Sequence, residues 1–166
     1  MQKRLFSILA LFGLLAAAAP ASARPFSPIV EKSDLSYSPQ PLKFQYDERM
    51  IAAADIATSH ARKRSHHHCW RAVKDALFEA NVISSRPTTR YAWEAGDELE
   101  QKFSFKKLDL TDPFEAPLGS VLVYGGRGAG HVEIRSENGF VSDFENPRPS
   151  NRPLLGIYVS TATVYE

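Results

Sequence analysis

One cysteine in 166 residues leaves no partner for a disulfide within the chain. Charge of either sign is equally scarce in excess: 20 lysines and arginines against 19 aspartates and glutamates give a net of +1. A balance so close to neutral offers no electrostatic footprint for nucleic acid. Long apolar runs are missing too. The longest, Leu5 to Ala19, covers 15 residues, short of the roughly 20 that a membrane-spanning helix needs. There is no internal repeat and no low-complexity tract. The glycine loop YGGRGAGH, Tyr124 to His131, lacks the Gly-Lys-Ser/Thr ending of a phosphate cradle and leads into a strand rather than a helix.

What is present begins with a basic start, MQKR, an apolar stretch, LFSILALFGLLAAAA, and a small-residue ending, PASA. That order of charge, apolar core and cleavage site predicts a signal peptide over residues 1–23, cut after Ala23, and export to the periplasm or beyond. No cysteine lies near the cut, which excludes lipid attachment there. Cleavage would remove Lys3 and Arg4 but no acid, so the mature chain would carry 18 basic and 19 acidic residues, a net of −1. Residues 24–46, with Pro25, Pro28, Pro39 and Pro41, read as an extended lead-in. Residues 47–166 are then one domain's worth of chain.

Within that domain Asp47 can cap a helix, and MIAAADIA carries it toward Arg62 on high helix propensity. The basic run ARKR, Ala61 to Arg64, suits a helix C-terminus better than a nucleic-acid groove. A second helix starts near Cys69: Cys69, Ala72, Val73, Ala76, Leu77 and Ala80 recur at helical spacing. A third, Thr89 to Phe103, places Tyr91, Ala95, Leu99 and Phe103 on one face. The period then changes. FKKLDL, SVLVY, HVEI, FVSDF and LLGIYV read as strands, with FVSDF the hairpin partner of HVEI. Helices first and an antiparallel sheet afterwards make an α+β domain.

The lone Cys69 stands in SHHHCW, Ser65 to Trp70, beside three of the five histidines. In an oxidising compartment an unpaired thiol is buried and inert, intermolecular, or reactive. A reactive one needs its thiolate, and a free thiol's pKa of about 8.5 leaves little of it at neutral pH. A helix N-terminus and a neighbouring imidazolium both favour the thiolate. The helix assignment supplies the first. His131, opening a strand after the glycine loop, is the candidate for the second, and Gly130 before it lets another backbone approach closely.

CWRAV, LGSVLVY, GHVEI and VSDF, in that order, resemble the segments around the catalytic residues of the NlpC/P60 and CHAP superfamily, papain-like cysteine peptidases and amidases that mostly cut peptidoglycan peptides. The 62-residue gap from Cys69 to His131 is nearer the CHAP branch, and the likeness covers about Asp47 to Val159. It implies a papain-like domain over 47–166, its nucleophile at a helix start packed on an antiparallel sheet. It also implies a polar residue on the next strand, about a dozen positions on, that orients the histidine; that offset lands on Asp143.

Strand geometry leaves two registers open. A two-residue Asn138-Gly139 loop pairs Glu133 with Phe144, turns Asp143 away from His131 and makes Asn146 the orienting candidate. A three-residue Glu137-Asn138-Gly139 loop, with Gly139 left-handed, pairs Glu133 with Asp143 and puts Asp143 on the face of His131. The resemblance favours the second. Glu133 shares that face in both, because side chains alternate along a strand. It departs from the small residue usual in the superfamily, so it is a candidate orienter or substrate contact. No glutamine precedes Cys69 to serve an oxyanion hole; the Cys69 N–H and a side chain from His66, His67 or His68 are the candidate donors, with His68 the one nearest the nucleophile.

The expectation is therefore an exported, monomeric cysteine hydrolase with Cys69 as nucleophile, His131 as base and Asp143 as orienter. It would cleave an amide in peptidoglycan, as a stem-peptide endopeptidase or an N-acetylmuramoyl-L-alanine amidase. No cofactor, nucleic acid or membrane span is implied. Two alternatives stand beside it. One is an inactive cell-wall-binding copy of the fold. The other is an exported metal-binding protein, with Cys69, His66 or His67, and His131 as ligands.

Overall fold

A computed structural model describes residues 47–161; the expected signal peptide and the proline-rich lead-in lie outside the described residues. The helical stretches form where propensity and spacing place them. Helix α1 (Arg49–His60) buries Met50, Ala53, Ala54 and Ala57, one face at helical spacing. Asp47 stands just before it, and its carboxylate accepts the Arg49 N–H at 3.0 Å, satisfying one of the amides that a helix start leaves bare. Helix α2 (Cys69–Glu79) buries Trp70, Val73, Ala76 and Leu77, with Cys69 at the edge of that stripe.

Helix α3 (Ala95–Phe103) is shorter than the spacing predicts and is preceded by a single 3-10 turn, Ala92–Glu94. The cause is Glu98. Its buried carboxylate accepts the N–H and hydroxyl groups of both Thr88 and Thr89 and pairs with Lys102 at 2.9 Å. Those threonines are thereby held in a loop wrapped over α3 rather than in its first turn. Burial alone would raise the Glu98 pKa, but these hydrogen bonds pull it down to about 2.

The strands are β1 (Phe105–Leu108), β2 (Val121–Tyr124), β3 (His131–Ser136), β4 (Gly139–Val141), β5 (Glu145–Asn146) and β6 (Leu154–Ser160). They form one sheet in the order β1-β6-β2-β3-β4-β5, every neighbouring pair antiparallel. Alternation splits the apolar side chains between two clusters. Val121, Val123, Val132, Ile134 and Val141 pack with the three helices. Leu122, Tyr124, Phe140, Ile157 and Val159 form the other cluster, where Phe114 meets Phe140 edge-on at 5.6 Å. The domain is α+β, as expected.

The β3–β4 hairpin takes neither of the two anticipated registers. Ser136 pairs with Gly139 and Ile134 with Val141, so the connecting loop is Glu137-Asn138. Gly139 does not make the turn. It sits in β4 at φ +143°, where a Cβ would lie 2.4 Å from the Asn146 carbonyl oxygen. The glycine is there so that the backbone of β5 can cross it closely.

Candidate active site

Cys69 is the first residue of α2 and is half-buried. Its own N–H belongs to the first turn, whose amides have no partner within the helix, so the positive end of the helix surrounds the sulfur. His131 is the first residue of β3, paired with Tyr124 of β2. Gly130, at φ +74°, makes its approach feasible: a Cβ there would lie 2.6 Å from the Tyr124 carbonyl oxygen and 2.9 Å from the Trp93 nitrogen. The imidazole is near enough to the Cys69 side chain for the two to interact electrostatically. Its Nε2 lies 3.2 Å from Glu133 Oε2.

Glu133 is 4% exposed and its second oxygen is also engaged. Oε1 accepts the Tyr124 hydroxyl at 2.7 Å and the Ser150 N–H at 3.1 Å. This carboxylate is thus fixed by groups other than the histidine it holds. Burial alone would lower the His131 pKa; hydrogen bonds and charge interactions with Cys69 and Glu133 outweigh it and raise the value to about 9. Burial and the adjacent carboxylate push the Tyr124 hydroxyl well above the ordinary range, so it remains a donor to Glu133.

Asp143 is not the residue that meets His131. It is 7% exposed and its Oδ2 accepts the N–H groups of His66 at 2.6 Å and His68 at 3.1 Å, with the Ser65 hydroxyl at 3.2 Å. The register explains the difference: continuing the β3–β4 pairing sets Asp143 on the same face as Val132 and Ile134, opposite Glu133. Burial alone would raise the Asp143 pKa, but the two backbone amides and Ser65 hold it below the usual carboxylate range. Asn146, the alternative orienter, instead pairs with Phe140 and accepts the Arg148 N–H at 3.1 Å.

Asp143 also sorts the three histidines. By gripping the amides on either side of His67 it holds that residue at φ +62°, a conformation uncommon for a residue with a Cβ. His67 lines the cleft with Cys69 and His131. His68 does not: its Nδ1 lies 2.6 Å from the His66 carbonyl oxygen, and it lines a separate recess with His60, Arg62 and Arg71. Among the described residues no group of three or more histidine, cysteine, aspartate or glutamate side chains is arranged to hold a metal ion. Nor is any helix among them long and apolar enough to cross a membrane.

The cleft has a volume of about 730 Å³ and is bordered by the glycine loop and by the segment after β5, a size suited to a small ligand or a stretch of peptide. Sequence reading picked out Cys69, His131 and Glu133 but passed over Tyr124, whose hydroxyl props Glu133. Its position directly across β2 from His131 was the available signal.

No family model matches the chain, and no curated protein matches it. In three dimensions it is similar to a chain of the type VI native effector–immunity complex Tae3–Tai3 from Ralstonia pickettii. That match has 25% sequence identity and a TM-score of 0.55, over 67% of this chain and 98% of the other. The SeMet form of the same complex matches with 25% identity and a TM-score of 0.52, over 65% and 99% of the two chains. The expected membership of the NlpC/P60 and CHAP superfamily is therefore corrected: the structural likeness is to a chain of a type VI effector–immunity complex. CWRAV and GHVEI do open a helix and a strand, but such short segments do not identify a family.

Proposed function

We propose that this chain is an exported cysteine hydrolase of papain-like architecture that cleaves an amide bond in peptidoglycan. We further propose that it acts as an effector with a cognate immunity protein, as in the type VI complex it resembles. The observation that carries the reading is the chain of contacts Cys69–His131–Glu133 at one end of a cleft.

In this mechanism the thiol proton rests on His131, whose raised pKa favours the imidazolium, and the Cys69 thiolate attacks the amide carbonyl carbon. The Cys69 N–H and the His67 side chain receive the developing oxyanion. The carbon–nitrogen bond breaks and His131 returns its proton to the leaving amine. Water, deprotonated by His131, then attacks the thioester, releasing a carboxylate and restoring the thiol. Glu133 keeps the imidazole in one orientation and stabilises its charged form, the part the sequence reading gave to Asp143.

The test is a digest of purified peptidoglycan with the chain and with Cys69→Ala, read by mass spectrometry of the soluble fragments. Fragments that carry a new amine and carboxylate, absent with the variant, are expected, and their masses identify the bond cut. Expression directed to the periplasm should lyse cells, whereas the same chain kept in the cytoplasm should not. Folded protein that releases nothing from walls of several chemistries would end the enzymatic reading.

A further inference from the structure

We propose that Arg127 and Arg148 form a carboxylate-reading pair at the mouth of the cleft, so that the substrate is an acidic peptide with a free carboxylate beside the amide that is cut. The proposal deepens the hydrolase reading and rests on it for the identity of the cleft.

The argument starts from charge. In a chain with nearly equal numbers of acids and bases, the residues lining this cleft include three arginines, Arg127, Arg148 and Arg152, and a single acid, Glu133. Glu133 is no counter-ion for them. Its oxygens are taken by His131, Tyr124 and the Ser150 amide. Cleft walls carrying one sign of charge concentrate the field within and draw in the opposite sign.

The three arginines divide by what their side chains do. Arg152 is structural: its Nη1 donates to the Arg127 carbonyl oxygen at 2.8 Å and so fixes the backbone of the glycine loop at Arg127. Arg148 has its backbone fixed as well, through its N–H to Asn146 Oδ1 at 3.1 Å. Among the described residues neither the Arg127 nor the Arg148 guanidinium has a hydrogen-bond or ion-pair partner. Two free guanidinium groups on anchored backbone thus border the cleft that holds the thiol. A guanidinium fork matches a carboxylate in shape and charge better than it matches a neutral amide. A substrate that presents a carboxylate here is selected over the same peptide amidated at that position.

The experiment uses the Cys69→Ala chain, which cannot turn over its ligand, and measures binding of a synthetic wall stem peptide with free carboxylates against the same peptide with those groups as carboxamides. The free acid should bind about tenfold or more tightly, the range for a charge-assisted hydrogen bond. Adding Arg127→Ala and Arg148→Ala should abolish the preference while leaving the melting temperature in place, because both side chains are exposed. Arg148→Lys should retain part of it. Equal binding of the two peptides, no measurable binding of either, or a preference that survives the double substitution would overturn the proposal. Failure of the hydrolase reading is distinguishable. A chain that discriminates but never releases wall fragments sinks catalysis alone, and a chain that cuts both peptides alike sinks the arginine pair alone.

Discussion

Glu133 and Asp143 lie on strand β3 and just beyond strand β4 of one hairpin, both almost fully buried, and their carboxylates engage different partners. Glu133 holds a side chain, the imidazole of His131. Asp143 holds backbone, the amides of His66 and His68 ahead of helix α2. The first contact favours the protonated form of His131. The second holds the backbone just ahead of the helix that Cys69 begins. Two acids of similar burial thus divide chemistry from geometry according to the face of the hairpin that each occupies.

Removing what both acids serve has the largest expected effect. Cys69→Ala or His131→Ala should take peptidoglycan hydrolysis to background in the fragment assay. Glu133→Gln comes next, with a fall in kcat of about 100-fold, within the range for general acid–base groups. It should also carry a pH signature. The raised His131 pKa of about 9 favours the protonated imidazole in the folded chain. Its contribution to stability is therefore full below the unfolded value near 6.5 and is lost as pH rises through about 9. In the native chain kcat/KM should decline as pH passes about 9. In Glu133→Gln that decline should move to lower pH, and denaturant unfolding should change less between neutral and alkaline conditions.

Asp143→Asn should act on stability first. It turns an acceptor of two amides into a partly repulsive carboxamide, at a cost of about 1–3 kcal/mol in denaturant unfolding. Its pH signature has the opposite sign to that of Glu133. The lowered Asp143 pKa contributes stability above the unfolded value near 3.8, lost as pH falls through the folded one. The alkaline limb of kcat/KM should stay where it is; a shift there would erase the distinction between the two acids. The smallest effect belongs to His68→Ala, within about twofold in rate as for surface substitutions outside a site. A large loss would restore His68 as an oxyanion donor.

Much of this was legible in the residues. The spacing of Val73, Ala76 and Leu77 placed a helix at Cys69, and the change of period after Phe103 placed the sheet. Cys69 and His131 could be paired because each lies where a strand or helix begins and where a side chain is held by regular backbone. Asp143 was misassigned because its role depends on hairpin parity. Both anticipated loops contained Gly139, and the resemblance favoured the one that set Asp143 on the face of His131, whereas the observed pairing has the parity of the other. Gly139 answers instead to the close crossing of Asn146, a contact between segments that no local pattern reveals. The threonines that shorten α3 escaped for the same reason, since Glu98 competes for them only once that loop folds back over the helix.

The clamp of Asp143 on the SHHH segment has a further consequence for the timing of assembly. Its hydrogen bonds join residues 75 to 78 positions apart, and His131 must come to Cys69 over a similar span. Contacts of such long sequence separation close late in folding, after their loop entropy has been met by the rest of the sheet. On the proposed reading the chain thus has no working centre while it is extended or half-folded. Any route that carries it across a membrane unfolded delivers an inert polypeptide, and activity begins where the hairpin docks.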